Sequence, residues 1–221
     1  MGFGLLFSGY FFLLFMPIGE MGILPNFAAI GCLLMLAALK RLICYCPDIR
    51  AFKSAVYPLI PQMLCAIALF VFGMLGLGRG EETNAMWYAV NITELVCTVL
   101  ACTTSICLFL GVHKLAHEVE LPKLASRSVR MLSFTVAYAL LAAAAGISEL
   151  VSPNVANGKM LVAFNYLGFA AFVLEYLFVF LCLAYFFTCY MRICLEGDED
   201  MPYREDVFDK IVAWFKRNNN R

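Results

Sequence analysis

Apolar residues run through this chain in long blocks, broken by short polar intervals. The blocks cover about Phe3 to Ile18, Pro25 to Cys44, Val56 to Leu77, Met86 to Val112, Val129 to Val151 and Met160 to Met191. A helix rises about 1.5 Å per residue, so about 20 residues cross a hydrocarbon core roughly 30 Å thick. Five of the blocks meet that length. The first, with sixteen residues, is marginal and is expected either to span or to re-enter. It has no basic leading region and no Ala-x-Ala cleavage pattern, so it is kept as a membrane helix and not as a removed signal peptide. Gly19 to Leu24 reads as a tight connection, with Pro25 suited to the first turn of the next helix.

The last block is the longest, and it holds one carboxylate, Glu175, near its middle. Ionisable groups at membrane depth are costly and face protein or water, which makes them candidates for function. A second carboxylate, Glu94, lies in the fourth block. At about 100° per residue Thr98, Ala101 and Ser105 fall within about 40° of Glu94, and Gly168, Ala171, Glu175 and Cys182 align in a similar way. Small residues allow helices to approach closely, so both stripes are expected to face the bundle interior.

Depth selects the partners of these acids. Counted from the external helix ends, Glu94 lies about 10 Å and Glu175 about 21 Å inside. Asn91 and Asn165 fall near the height of Glu94. Gln62 and Tyr138, on helices running the other way, fall near Glu175, and a hydrogen-bonded cluster of Glu175, Gln62 and Tyr138 is expected. Glu20, Glu81, Glu82 and Glu149 mark an external face that is either an acidic mouth or a set of solvated loop acids.

Charge changes the picture through its placement. The sixteen basic and sixteen acidic residues cancel, so nothing points to a nucleic-acid partner. Lys40, Arg41, Arg50 and Lys53 follow the second block. Lys114, Lys123, Arg127 and Arg130 separate the fourth from the fifth, and six more cations follow the sixth. Arg79 and Lys159 remain for the other side. By the positive-inside rule this asymmetry predicts six spans with both termini cytoplasmic. With 63% hydrophobic residues and a mean hydropathy of +0.83, the composition lies outside the soluble globular range. The expected class is an all-α polytopic protein of the cell membrane, with the bilayer as its first partner.

Two regions are expected: a six-helix membrane domain over 1–195 and a cytoplasmic tail over 196–221. In the tail, Glu196, Asp198, Glu199 and Asp200 precede Pro202 to Arg217. There Val207, Phe208, Ile211, Val212 and Phe215 take one side of a helix, the pattern of an amphipathic surface helix.

Other chemistry is sparse. The ten cysteines lie mostly inside apolar blocks and read as packing residues, with Cys44, Cys46 and Cys194 at reducing membrane edges. His113 and His117, one turn apart beside Glu118 and Glu120, are weak candidates for a metal pair, since the glutamate within His-Glu-x-x-His is missing. Asn91-Ile92-Thr93 matches a glycosylation sequon but falls inside a span. No nucleophile elbow, triad, phosphate loop or dinucleotide fingerprint can be assembled, so an enzymatic activity is left open but unsupported, and no cofactor is expected.

The opening hairpin carries one resemblance. Ile23, Leu24, Pro25, Asn26 and Phe27, then Ile30, Gly31, Leu33 and Leu34, closing with Leu39, Lys40, Arg41 and Leu42, resemble an Ile-Leu-Pro-Asp-Phe-Ile-Gly-Tyr hairpin. That hairpin occurs in multi-span membrane proteins of low-GC Gram-positive bacteria that have no assigned activity. Asn26 stands where the acid is usual, and Ala28 and Ala29 are inserted, so no role for that acid carries over. The resemblance implies a bacterial cytoplasmic membrane. On sequence, the preferred reading is a non-catalytic membrane binding or scaffold protein, either a complex subunit or a homo-oligomer. The alternative is a small carrier or channel for protons or cations using Glu94 and Glu175.

Overall fold

The computed structural model describes residues 2–13, 28–75, 85–154 and 158–194. The connection at Gly19 to Leu24, Pro25, the acids Glu20, Glu81 and Glu82, and the amphipathic segment Pro202 to Arg217 lie outside the described residues. Six α-helices follow in order: α1 (Phe3–Leu13), α2 (Ala28–Tyr45), α3 (Arg50–Met74), α4 (Ala85–Glu118), α5 (Pro122–Val151) and α6 (Gly158–Cys189). A 3₁₀ turn, Ser152–Asn154, ends α5, and a π-helical turn, Tyr190–Cys194, extends α6. No strand occurs among the described residues.

Five of these helices, α2 to α6, are long and apolar enough to cross a membrane. In α1 the described 11 residues rise only about 16 Å, short of a span. Large apolar side chains cover the outside: Leu64, Leu140, Phe169 and Phe180 are each more than half exposed. A belt of that size would be a liability in water and is the ordinary boundary with lipid. The chain is a helical protein built for a membrane.

Several helices outrun their apolar blocks, because the blocks mark the hydrocarbon and not the helix. α3 begins at Arg50, six residues before the expected Val56, and it carries Pro58 and Pro61 internally. Membrane helices tolerate such prolines because neighbouring groups satisfy the freed carbonyls. α4 continues to Glu118, and α5 starts at Pro122 in the first turn, where its missing N–H has no helical partner to lose.

Each helix packs against its neighbours in the chain, and α1 packs against α6, which closes a ring. Lipid tails are as apolar as leucine, so close packing, and not exclusion of water, must hold these contacts. α3 shows the pattern plainly: Phe52, Ala55, Leu59, Gln62, Ala66 and Leu69 recur every three or four residues and are all buried. α1 and α2 approach each other closely. A methyl group on Gly31 would come within 2.7 Å of the Gly9 carbonyl oxygen, so only glycine fits there. Between α3 and α4, a methyl on Gly111 would meet Phe52 at 2.5 Å.

One end of the ring gathers Lys40, Arg41, Arg50, Lys53, Lys114, Lys123, Arg127, Arg130 and Arg192, whereas Lys159 lies at the other. The basic half is the tighter. Leu39, Leu42, Phe52, Leu108, Phe109, Val112 and Phe186 there are almost wholly inaccessible.

Candidate functional site

Where the tight basic half gives way to the looser one, a cavity of about 40 Å³ lies among the helices. All six helices reach it: Tyr10 from α1, Met35 from α2, Gln62 from α3, Thr98 and Ser105 from α4, Tyr138 from α5 and Glu175 from α6. A water molecule needs roughly 10–15 Å³ measured this way together with two or more polar partners, so the space suits a few waters or a small ion.

The sequence places these groups in intelligible ways. Gln62 stands in the α3 stripe and is 1% exposed. Tyr138 lies on the buried face of α5 with Ser128, Thr135 and Ala145, and its ring stacks on Phe178 at 4.9 Å between centroids. Of the α4 stripe, Thr98, Ala101 and Ser105 all line the cavity.

Hydroxyl groups tie the walls together. The Tyr10 hydroxyl lies 2.7 Å from Ser105 Oγ, which lies 2.8 Å from the Ala101 carbonyl. One arrangement satisfies both: Tyr10 donates to Ser105, and Ser105 donates to Ala101. The same device recurs nearer the basic end, where the Tyr185 hydroxyl meets Ser128 and Ser128 reaches the Leu124 carbonyl at 3.1 Å. Thr104 Oγ1 lies 3.1 Å from Gln62 Oε1 and 2.9 Å from the Leu100 carbonyl. Every buried side-chain oxygen and nitrogen among the described residues has a hydrogen-bond partner.

On its basic side the cavity is floored by rings. Tyr10 stacks on Phe186 at 5.0 Å, Phe186 on Phe109 at 5.7 Å, and Tyr185 meets Phe109 edge-on at 5.3 Å. Offset and edge-to-face pairs of this kind add about 0.5–1.5 kcal/mol each beyond the area they bury.

The expected residues divide into those at the cavity and those outside it. Glu175, Gln62 and Tyr138 line the same cavity, while the side-chain oxygen of Gln62 accepts from Thr104. Glu94 is half-buried farther along α4 and does not line it. Asn91 turns back on its own helix, donating from Nδ2 to the Trp87 carbonyl at 2.9 Å. Asn165 is exposed, and beside it Gly168 is also exposed, with no described atom within 4 Å of where a methyl would stand. The expectation that the whole α6 stripe faces inward therefore fails in its outer part. Its inner part, Glu175 and the fully buried Cys182, does face the bundle.

One cavity group, Tyr10, and one partner of a cavity group, Thr104 beside Gln62, escaped the sequence reading. Tyr10 is the sole tyrosine in an otherwise phenylalanine- and leucine-rich α1, and a phenol there needs a polar partner, which was the available signal. Thr104 gave none, because a threonine on a helix can satisfy itself on the preceding turn.

Of the two histidines, His113 joins neighbouring helices. His113 Nδ1 lies 3.2 Å from the Ala125 carbonyl, bridging α4 and α5, while His117 is exposed. Among the described residues no group of three or more His, Cys, Asp or Glu side chains is disposed to hold a metal. The described cysteines are free thiols, with Cys32, Cys97, Cys102, Cys182 and Cys189 buried.

The chain matches no protein-family model, and neither the curated proteins nor the solved structures include one significantly similar to it.

Proposed function

We propose that this chain is a multi-pass protein of the bacterial cytoplasmic membrane that takes a proton or a small monovalent cation into the central cavity, with Glu175 as the binding group. The observation that carries this reading is the meeting of all six helices on one cavity that holds a carboxylate at membrane depth. Embedded acids of this kind mark ion pathways and proton relays. We infer six spans with both termini cytoplasmic and a C-terminal surface helix, because the positive-inside rule puts the basic end inside. The aromatic floor then seals the cavity from the cytoplasm, and access is from the opposite face. Glu94, nearer that face on α4, stands along that approach.

Binding can be read without knowing the transport cycle. A ligand that binds the folded state raises its melting temperature in proportion to the logarithm of ligand excess. The purified protein in detergent is melted across titrations of Na⁺, K⁺ and pH. One of these shifts wild-type melting, and Glu175→Gln removes that response. Identical responses in both proteins overturn the proposal.

A second reading, a subunit contact, rests on Asn165. A carboxamide exposed within a membrane helix, beside the open Gly168, is the kind of group that another helix satisfies. If a second copy or a partner helix covers it, Asn165→Leu lowers the oligomeric mass in detergent; an unchanged mass removes the reading.

A further inference from the structure

At the basic end a groove opens between α5 and α6, distinct from the central cavity. Lys123, Arg127 and Arg130 line it from α5, and Thr188 and Arg192 from α6. The α5 cations are spaced four and three residues apart, which puts them on one stripe of the helix. Arg192 belongs to the π-helical turn Tyr190–Cys194, an irregularity often found where a helix serves a site. The groove has a volume of about 430 Å³, and among the described residues no carboxylate lines it.

It continues along the same helix pair. An adjoining bay of about 370 Å³ shares Arg127, Arg130 and Thr188, and adds Met131, Leu181 and Ala184 deeper in the bundle. One end therefore offers guanidinium groups, which match phosphate oxygens in a two-pronged geometry, and the other offers apolar wall. A free phosphate would use only the first end. A phospholipid uses both, with its headgroup at the helix ends and its chain along Met131 and Leu181.

We propose that this groove is a binding site for an anionic phospholipid, its phosphate held among Arg127, Arg130 and Arg192 and one acyl chain lying in the adjoining bay. The site stands on the charge and shape of the groove, independently of any role for Glu175. Basic recesses between membrane helices at the cytoplasmic headgroup level suit such lipids, each cation near an anionic surface contributing a factor of about five in affinity.

The test is lipid retention by the purified full-length protein in native mass spectrometry, with phosphatidylglycerol, phosphatidylcholine of the same chains and inorganic phosphate as probes. Wild type retains phosphatidylglycerol in preference to phosphatidylcholine, and phosphate displaces it poorly. Arg127→Gln with Arg130→Gln weakens retention by about 25-fold, two cations at about five-fold each. Arg192→Gln alone weakens it by about five-fold, which guards against misfolding of the double variant. Lys40→Gln with Lys53→Gln, at the far side of the ring, leaves it unchanged. Equal retention of both lipids, or wild-type retention in the double variant, overturns the proposal. Phosphate bound as tightly as the lipid assigns the groove to a free anion instead. A gain of tenfold or more on neutralising Glu196, Asp198, Glu199 and Asp200 assigns it to the acidic tail, which also overturns the proposal.

Discussion

The Tyr10 hydroxyl stands 2.7 Å from the Ser105 hydroxyl at the rim of the central cavity, joining the short α1 to the middle of α4. α1 shows too little described length to span, so its place in the ring depends on contacts of this kind and on its glycine crossing with α2. Removing the phenol strands no donor, because Ser105 keeps the Ala101 carbonyl. Tyr10→Phe is therefore expected to cost about 0.5–1.5 kcal/mol, the net worth of one hydrogen bond. In a double-mutant cycle with Ser105→Ala, followed by unfolding in detergent, the double variant should lose less than the sum of the two single losses. Strict additivity would show that the pair does not interact.

The crossing of α1 and α2 leaves no room at Gly31, where the obstacle is the Gly9 backbone carbonyl and not a movable side chain. Gly31→Ala is expected to destabilise by about 1–3 kcal/mol, the usual cost of overpacking. Gly168→Ala, with no described neighbour within 4 Å, should be neutral or stabilising by up to about 1 kcal/mol, since alanine is the better helix former. Melting temperatures of the two variants in one detergent decide this, and a larger loss for Gly168→Ala contradicts the packing described.

Cys46, in the connection after α2, has its thiol pushed up by burial and, secondarily, by the Glu118 carboxylate. The reactive thiolate therefore appears only at higher pH than for an ordinary cysteine. Glu118→Gln removes one of the two causes, so the rate of Cys46 alkylation against pH should move to lower pH. Superimposable profiles for wild type and variant would show that the two groups are not neighbours.

Cys44 is exposed at the basic end, while Cys32, Cys102 and Cys182 are buried. A membrane-impermeant maleimide added outside intact cells should leave Cys44 unmodified and should label it once the membrane is opened, with the buried three slow in both cases. Labelling of Cys44 from outside would invert the proposed orientation.

The helical class was legible because the apolar blocks are long and the cations fall between them in a lopsided way. Gln62, Tyr138 and Glu175 were brought to one height by counting rise per residue along helices that run in opposite directions. All three line one cavity. Helix ends were less legible: Arg50 and Lys53 are polar enough to read as loop, yet three- and four-residue connections force the helices onward past the lipid. Tyr10 could not be assigned a partner, since nothing local in α1 says that it closes the ring against α6. Asn165 illustrates the opposite failure. Its height was estimated by counting, but the side of α6 on which neighbours pack is a tertiary fact, and there the helix turns Asn165 outward.

The most direct measurement of the central claim is ion flux across vesicles containing the purified protein, for wild type, Glu175→Gln and Glu94→Gln. The account predicts proton or monovalent-cation flux above that of empty vesicles for wild type, background for Glu175→Gln, and a reduced rate for Glu94→Gln. Flux in Glu175→Gln equal to wild type, or background traces from all three proteins, would contradict it.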